Sequence, residues 1–236
     1  SLAYTFQLYF DFSVYADMAI GLGLMFNIML PFNFNSPYKA LNIIDFWRRW
    51  HITLSRFLRD YLYIALGGSR NGQFKRYRNL LLTMVLGGLW HGSGWNFVIW
   101  GTLHGSYLCF NHGWNYISGK IAWLKNGMSD PLALCITLLS VIIAWVFFRA
   151  VTFDGAIIML NSMFSYQVGT ETLFTGTQQA KSWLWIIIAF CLAVFMPNVR
   201  EITEKQYRGI APLSKFTFLV GIYMMWILAI NQQTQE

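Results

Sequence analysis

The stretch Asn79–Gly119, NLLLTMVLGGLWHGSGWNFVIWGTLHGSYLCFNHGWNYISG, decides the fold because it contains no Asp, Glu, Lys or Arg. As one helix it would extend about 60 Å, twice the hydrocarbon thickness of about 30 Å. Gly92-Ser93-Gly94 is the natural place to interrupt it. The stretch therefore predicts two spans, or a helix with a re-entrant break. Irregular backbone at membrane depth is tolerated only where it is buried in protein or lines a wet cavity.

The composition excludes a soluble domain and a disordered chain. Hydrophobic residues make up 56% and charged residues 11%, whereas soluble domains carry about 25% charged residues. The chain also holds 11 Trp, 12 Tyr and 20 Phe, too much apolar surface to leave in water. We therefore expect an all-α integral membrane protein. Four further apolar runs are candidate spans: Leu2–Leu30, Pro131–Phe148, Ser182–Val199 and Phe216–Ile230.

Positive charge is concentrated in one segment. Arg48–Arg78 holds eight Arg or Lys and one acid, Asp60, and the difference of +7 equals the net charge of the whole chain. By the positive-inside rule, the loop 67–78 faces the cytoplasm. Two compatible interpretations are open: a topogenic patch that contacts lipid headgroups, or a patch that also attracts an anionic substrate such as coenzyme A.

The segment Asn42–Leu66 has the periodicity of an amphipathic helix. Its apolar residues fall at 43, 46, 47, 50, 54, 57, 58 and 61, which makes one helical stripe. The other side carries Arg48, His51, Ser55 and Arg59. We expect one helix at the interface or against a bundle, with its polar face toward water or a cavity.

Two histidines lie in similar small-residue patterns, Gly88–Gly92 and Gly101–Gly105. Each is a GxxxG pattern with a histidine, His91 or His104, before the second glycine, and small residues four apart let a neighbouring helix approach closely. A packed, dry imidazole suits proton transfer, while a bond to a facing carbonyl is the structural alternative. Haem ligation would need a matching pair on another span, which the chain lacks. We predict no metal site.

The acids of the first apolar run argue against a paired-carboxylate site. Asp11 and Asp17 are six residues apart and fall on different faces of a straight helix. Membrane-embedded His and Asp side chains also suggest a different class, a proton-coupled transporter. The span pattern shows no inverted repeat, and the Arg-rich helix has no task in a transporter, so this class ranks second.

Four ordered motifs closely resemble the membrane-bound O-acyltransferase (MBOAT) family. They are YFDFSVYADMA at 9–19, DFWRRWHITLS at 45–55, RDYLYIALGG at 59–68 and GLWHG at 88–92. The branch that resembles the chain most contains bacterial alginate O-acetyltransferase subunits and teichoic acid D-alanyl transferases. The resemblance is dense over residues 4–110 and rests mainly on hydropathy beyond them.

The resemblance implies a multi-helix bundle around a central tunnel, with short amphipathic or re-entrant helices. It implies that 1–236 is one transmembrane domain, the C-terminal portion of a longer protein whose leading helices are missing here. Residues 1–119 would form the motif-bearing catalytic part and 120–236 the C-terminal transmembrane helices.

The resemblance also implies site residues. His91, in the Trp-His-Gly motif, would be catalytic, with His51 as the second important histidine. Arg48, Arg49 and Arg59 would hold phosphates of coenzyme A, although pairing with Asp45 or Asp60 is equally open. The full set of expected substrate-binding residues is Arg48, Arg49, Arg59, Trp90 and His104.

The implied activity is a multi-pass O-acetyltransferase of the bacterial inner membrane. It would take acetyl groups from a cytoplasmic donor, acetyl-CoA, without a bound cofactor. The acceptor would be an exported polysaccharide such as alginate, reached directly or through a periplasmic acetyltransferase partner. Peptidoglycan or another cell-wall polymer is the alternative acceptor. Membrane lipids would surround the protein, and no nucleic acid partner is expected.

Overall fold

The computed structural model describes residues 1–70, 72–121, 128–165 and 176–207, and these residues form helices and connecting loops without a strand. The chain forms two compact units, 1–196 and 197–236. The expected boundary at residue 119 between two functional parts stays a prediction. The candidate span Phe216–Ile230 lies outside the described residues.

The larger unit contains eight described α-helices. They are α1 (Leu2–Met25), α2 (Ile43–Arg49), α3 (Ile52–Phe57), α4 (Gln73–His91), α5 (Trp95–Ser118), α6 (Asp130–Arg149), α7 (Phe153–Phe164) and α8 (Gly176–Phe195). A 3₁₀ turn at Pro37–Lys39 precedes α2, and a π-helical turn at Leu58–Tyr63 follows α3. In the smaller unit, α9 covers Val199–Tyr207. Three of the described helices, α1, α6 and α8, are long and apolar enough to cross a membrane.

The charge-free stretch is broken where the sequence predicts it. Helix α4 ends at His91 and α5 begins at Trp95, so 92–94 forms the tip of a hairpin. Glycines let the two backbones touch: a Cβ added at Gly88 would lie 2.2 Å from the Phe97 carbonyl oxygen, and one at Gly101 would lie 2.3 Å from that of Met84. The prediction of a break and of close glycine packing is confirmed.

The amphipathic segment 42–66 is not the single helix that its periodicity predicts, and that expectation is wrong. The chain breaks at His51, whose φ of 41° lies in the left-handed region. Asn33 holds the break, because its backbone carbonyl accepts a bond from the Ile52 N–H at 2.9 Å and its Oδ1 accepts one from the Thr53 hydroxyl at 2.6 Å. These long-range bonds offset the cost of a left-handed residue, and periodicity does not reveal them.

The first helix is shorter than the apolar run that predicts it. It ends at Met25, and residues 26–30 continue as an exposed, apolar, non-helical segment. Asn27 takes a positive φ of 57°, and the Ile28 N–H bonds back to the Gly23 carbonyl at 2.8 Å. This Schellman-type turn ends the helix inside the apolar run. A prediction from hydropathy therefore places the end of the helix too far along the chain.

An aromatic core joins α1, α2, α5 and α6. Trp50 follows α2 and contacts Trp145 of α6 at a ring-centroid distance of 5.0 Å, while Phe46 stacks on Trp50 at 5.7 Å. The Asn96 side chain donates to the Ala150 carbonyl at 2.7 Å, which fixes the start of α5 to the end of α6. The α4–α5 hairpin and the segment 42–63 are thereby held against each other around a cavity.

Candidate active site

A cavity of about 710 Å³ lies between the segment 42–63 and the part of the α4–α5 hairpin far from its tip. Among the residues that the structure describes, four guanidinium groups and no carboxylate line it. The four are Arg48, Arg56, Arg59 and Arg76. A concave site with this lining attracts anions and is typical of phosphate recognition.

The antiparallel hairpin brings Arg76 and His112 together in the cavity wall. The Arg76 Nη2 lies 2.8 Å from His112 Nδ1. Because a guanidinium only donates, His112 Nδ1 is the acceptor and the proton of the neutral ring resides on Nε2. The pair therefore supplies a cation and an N–H donor on one wall.

The expected arginines do not all reach the cavity. Arg48 and Arg59 line it. Arg59 also forms a two-point ion pair with Asp60, at 2.7 and 3.2 Å. Arg49 lies outside the lining and pairs with Asp45 at 2.9 Å. Pairing with an aspartate, the alternative to phosphate binding, therefore applies to Arg49. Arg48 has no carboxylate partner among the described residues.

His91 ends α4 in an aromatic setting. Its ring meets Phe148 edge-on at 5.0 Å and Trp100 at 5.3 Å. The neighbouring Trp90 is 66% exposed and touches the His91 ring at 4.9 Å. This apolar lining excludes water from part of the imidazole while leaving it half-buried rather than sealed.

His51 occupies the bend between α2 and α3, outside the three candidate spans. Its ring meets Phe12 edge-on at 4.8 Å, and its buried Nδ1 has no hydrogen-bond partner in the described part of the chain. Burial is the main cause and electrostatic interaction with His91 the second, and together they lower the pKa of His51 to about 4. His51 is therefore neutral at physiological pH, and it lies within electrostatic range of His91 although forty residues separate them in sequence.

His104 is fully buried at the contact between α5 and α2. Its Nδ1 accepts a hydrogen bond from the Trp47 indole N–H at 3.2 Å, and its ring stacks on Phe46 at 6.1 Å. His104 does not line the cavity, but Trp47 does. The expected substrate-binding histidine thus reaches the cavity only through a tryptophan.

The cavity and His91 occupy successive parts of the hairpin. The lining extends along α4 to Met84 and includes neither His51 nor His91. His91 follows Met84 by seven residues, which corresponds to about 10 Å along a helix axis. Trp47 and Trp100 bridge the gap, because Trp47 contacts Trp100 at 5.9 Å and Trp100 contacts His91.

The expected substrate-binding residues do not include Trp47, Arg56, Arg76 and His112, which line the cavity. Arg56 and Arg76 entered the sequence analysis only as members of the basic segment Arg48–Arg78. A signal for one pair was present. Folding the charge-free stretch at 92–94 places positions 76 and 112 at similar distances from the tip, so an antiparallel hairpin brings them face to face. No comparable signal identified Trp47, whose periodicity assigns it to the apolar stripe.

The sequence matches a family model described as MBOAT, membrane-bound O-acyltransferase family, over residues 1–148. The chain is 57% identical over 163 residues to a peptidoglycan O-acetyltransferase of Helicobacter pylori, covering 69% of this chain and 30% of that protein. It is 52% identical over 215 residues to a probable alginate O-acetylase of Azotobacter vinelandii, covering 91% of this chain and 42% of that protein.

A more distant relative is a teichoic acid D-alanyltransferase of Bacillus subtilis, 32% identical over 146 residues, which covers 57% of this chain and 36% of that protein. The chain spans less than half the length of each of these curated relatives.

Proposed function

Because this chain belongs to the membrane-bound O-acyltransferase family, we propose that it carries the donor cavity and the catalytic histidines of a membrane O-acetyltransferase. The donor is acetyl-CoA, taken from the cytoplasm. The acceptor is a hydroxyl of an exported polysaccharide, reached directly or through a periplasmic acetyltransferase partner. The protein crosses the bacterial inner membrane several times, with the basic loop after residue 66 on the cytoplasmic side.

The observation that carries this proposal is the arginine-lined cavity without a carboxylate in its lining. Acetyl-CoA is a polyanion with phosphate groups at one end and a thioester at the other. Arg48 and Arg76 form no ion pair with a carboxylate among the described residues, and Arg56 interacts with Asp60 only at longer range. These guanidinium groups supply charge-assisted bonds for the phosphates. The apolar part of the lining, including Trp47 and Met84, accepts the uncharged arm.

The proposed chemistry is one acyl transfer. The acceptor hydroxyl gives its proton to a neutral nitrogen of His91 while its oxygen attacks the thioester carbonyl carbon. Collapse of the tetrahedral intermediate breaks the carbon–sulfur bond. The acetyl ester forms, and the leaving thiolate takes up the proton held by His91. His51 stays neutral and assists by orienting the thioester or relaying the proton.

The aromatic surroundings of His91 suit this chemistry. Phe97, Trp100 and Phe148 enclose one side of the ring, and exclusion of water limits hydrolysis of the thioester. Trp90 is exposed beside the ring, at a place where it can contact the approaching acceptor.

Two acceptors have specific support from relatives. Similarity over 91% of the chain to a probable alginate O-acetylase favours an alginate-like exopolysaccharide. The higher identity, 57% over 69% of the chain, to a peptidoglycan O-acetyltransferase favours peptidoglycan as the second candidate. Both polymers offer a sugar hydroxyl outside the cytoplasm, so the donor side of the mechanism is the same.

Mass spectrometry of the envelope polymers tests the function. We expect ester-linked acetyl groups to disappear from one polymer when the gene is deleted and to return when the full-length gene is restored. Loss from exopolysaccharide supports the first acceptor, and loss from muropeptides supports the second. Unchanged acetylation of every envelope polymer would overturn the proposed function.

A further inference from the structure

His104 is enclosed by aromatic rings and makes one side-chain hydrogen bond among the described residues. Phe46, Trp47, Trp100 and Tyr107 surround it at centroid distances between 4.9 and 6.1 Å. Its exposed fraction is 0%, so no substrate touches it in this arrangement. The hydrogen bond from the Trp47 indole to Nδ1 is therefore the contact that orients the His104 ring.

That bond fixes the tautomer of the ring. Since the indole N–H only donates, His104 Nδ1 is unprotonated and the proton of the neutral ring is on Nε2. The Nε2 atom is buried and has no hydrogen-bond partner within residues 1–70, 72–121, 128–165 and 176–207. The nitrogen at Nδ1 gives the buried Trp47 N–H its acceptor, and an apolar ring of the same size would leave that donor unsatisfied.

Trp47 has two surfaces with different surroundings. One lines the cavity, and its ring also contacts Trp100, the tryptophan that touches His91. The indole therefore forms part of the wall between the donor cavity and the catalytic histidine. Its orientation decides whether the uncharged end of a bound donor is directed toward His91.

We propose that His104 is a positioning residue, which holds the Trp47 indole through Nδ1 so that the acyl end of the donor is directed from the cavity to His91. This inference rests on the proposed function, because it assigns the cavity to the acyl donor. His104 acts through Trp47 and contacts no reacting atom. Its loss affects turnover more than donor binding, since the arginines that hold the phosphates lie elsewhere in the lining.

Three substitutions separate the two ring nitrogens. His104→Asn places an amide oxygen near the position of Nδ1, His104→Gln places its amide near Nε2, and His104→Leu keeps volume without polarity. In acetyl transfer by the full-length protein in proteoliposomes, we expect His104→Leu and His104→Gln to lower kcat about tenfold, as expected for one lost buried hydrogen bond. KM for acetyl-CoA should stay within about twofold, and His104→Asn should retain most of the wild-type kcat.

Trp47→Phe is the matched test for the residue that donates the hydrogen bond to His104. It keeps an aromatic ring and removes the indole N–H, so we expect a kcat close to that of His104→Leu. The double variant should be no worse than either single variant, because one interaction is removed twice. If His104→Leu fails to accumulate in the membrane, Trp47→Phe and His104→Asn still carry the comparison.

The outcomes are distinct. Rescue by Gln but not by Asn would assign the function to Nε2 and overturn the proposal. Equal loss in all three His104 variants with a lower thermal midpoint would show a purely structural role and overturn it as well. Additive losses in the double variant would contradict the link to Trp47. If the wild-type protein transfers no acetyl group, the proposed function fails first and this inference with it.

Discussion

The two ends of the α4–α5 hairpin differ in charge and in the side chains around them. The end away from the tip carries the cavity, with several arginines and a paired histidine, His112. The tip carries His91 among aromatic rings, without an ion pair among the described residues. An anion site needs cations, whereas a proton acceptor needs a neutral ring. On this hairpin Arg76 and His91 are fifteen residues apart, about 22 Å along the axis of α4.

The largest effect is expected at the tip. His91→Ala removes the proposed proton acceptor, and general-base catalysis typically contributes 10²–10⁴-fold, so we expect kcat to fall by roughly that factor. Acetyl transfer by the full-length protein in proteoliposomes measures it. Ser93→Ala, an exposed change two residues away, is the control and should leave kcat unchanged. Wild-type kcat in His91→Ala would contradict the assignment.

The next effect concerns the close contact that joins the two ends. A Cβ at Gly101 would overlap the Met84 carbonyl, so Gly101→Ala should separate the helices and destabilise the fold by about 2 kcal/mol or more. Gly113→Ala is the matched control on the same helix, because a Cβ there meets nothing within 4 Å. The thermal midpoint of the protein in detergent measures both. Equal midpoints would show that the hairpin does not depend on glycine contact.

A smaller effect is expected at the basic end. Arg48→Gln and Arg76→Gln each remove one cavity guanidinium, so KM for acetyl-CoA should rise about tenfold while kcat changes little. Arg70→Gln removes the same charge from the same basic segment outside the cavity lining and should leave KM within about twofold. An equal rise in all three variants would mean that general attraction to the basic segment, and not the cavity, determines donor affinity.

The smallest effect is expected at Arg49. Its ion pair with Asp45 joins residues one helical turn apart, both partly exposed, and such pairs contribute about 0.5 kcal/mol. Arg49→Gln should lower the thermal midpoint slightly and leave KM unchanged. A double-mutant cycle with Asp45→Asn isolates the pair. If Arg49→Gln raised KM for acetyl-CoA as much as Arg48→Gln does, Arg49 would also bind the donor, contrary to this prediction.

The sequence predicts those features that depend on local pattern. The break at 92–94 follows from the length and apolarity of the charge-free stretch, and the glycine contacts follow from residue size. The bend at His51 does not, because bonds from Asn33, about twenty residues earlier, stabilise a backbone conformation that the local periodicity opposes. The end of α1 is a similar case, since a turn at Asn27 terminates a helix within an apolar run.

The candidate site divides in the same way. Motifs single out His51, His91 and His104. They do not show which of these histidines is accessible and which is fully buried. His104 illustrates the limit: its pattern matches that of His91, yet the fold surrounds it with aromatic rings and bonds it to Trp47. Arg48 and Arg49 are adjacent in sequence but lie on different faces of α2. Arg48 lines the cavity, whereas Arg49 pairs with Asp45, and only the fold reveals this difference.

Calorimetry of coenzyme A binding to the full-length protein in nanodiscs separates donor binding at the cavity from acetyl transfer at His91. We expect His91→Ala to bind coenzyme A with wild-type affinity although its kcat for acetyl transfer is lower by roughly 10²–10⁴-fold. We also expect Arg48→Gln/Arg76→Gln to weaken binding by roughly two orders of magnitude if the two contacts are independent. Lost affinity in His91→Ala, or wild-type affinity in the double arginine variant, would contradict the division between the two ends.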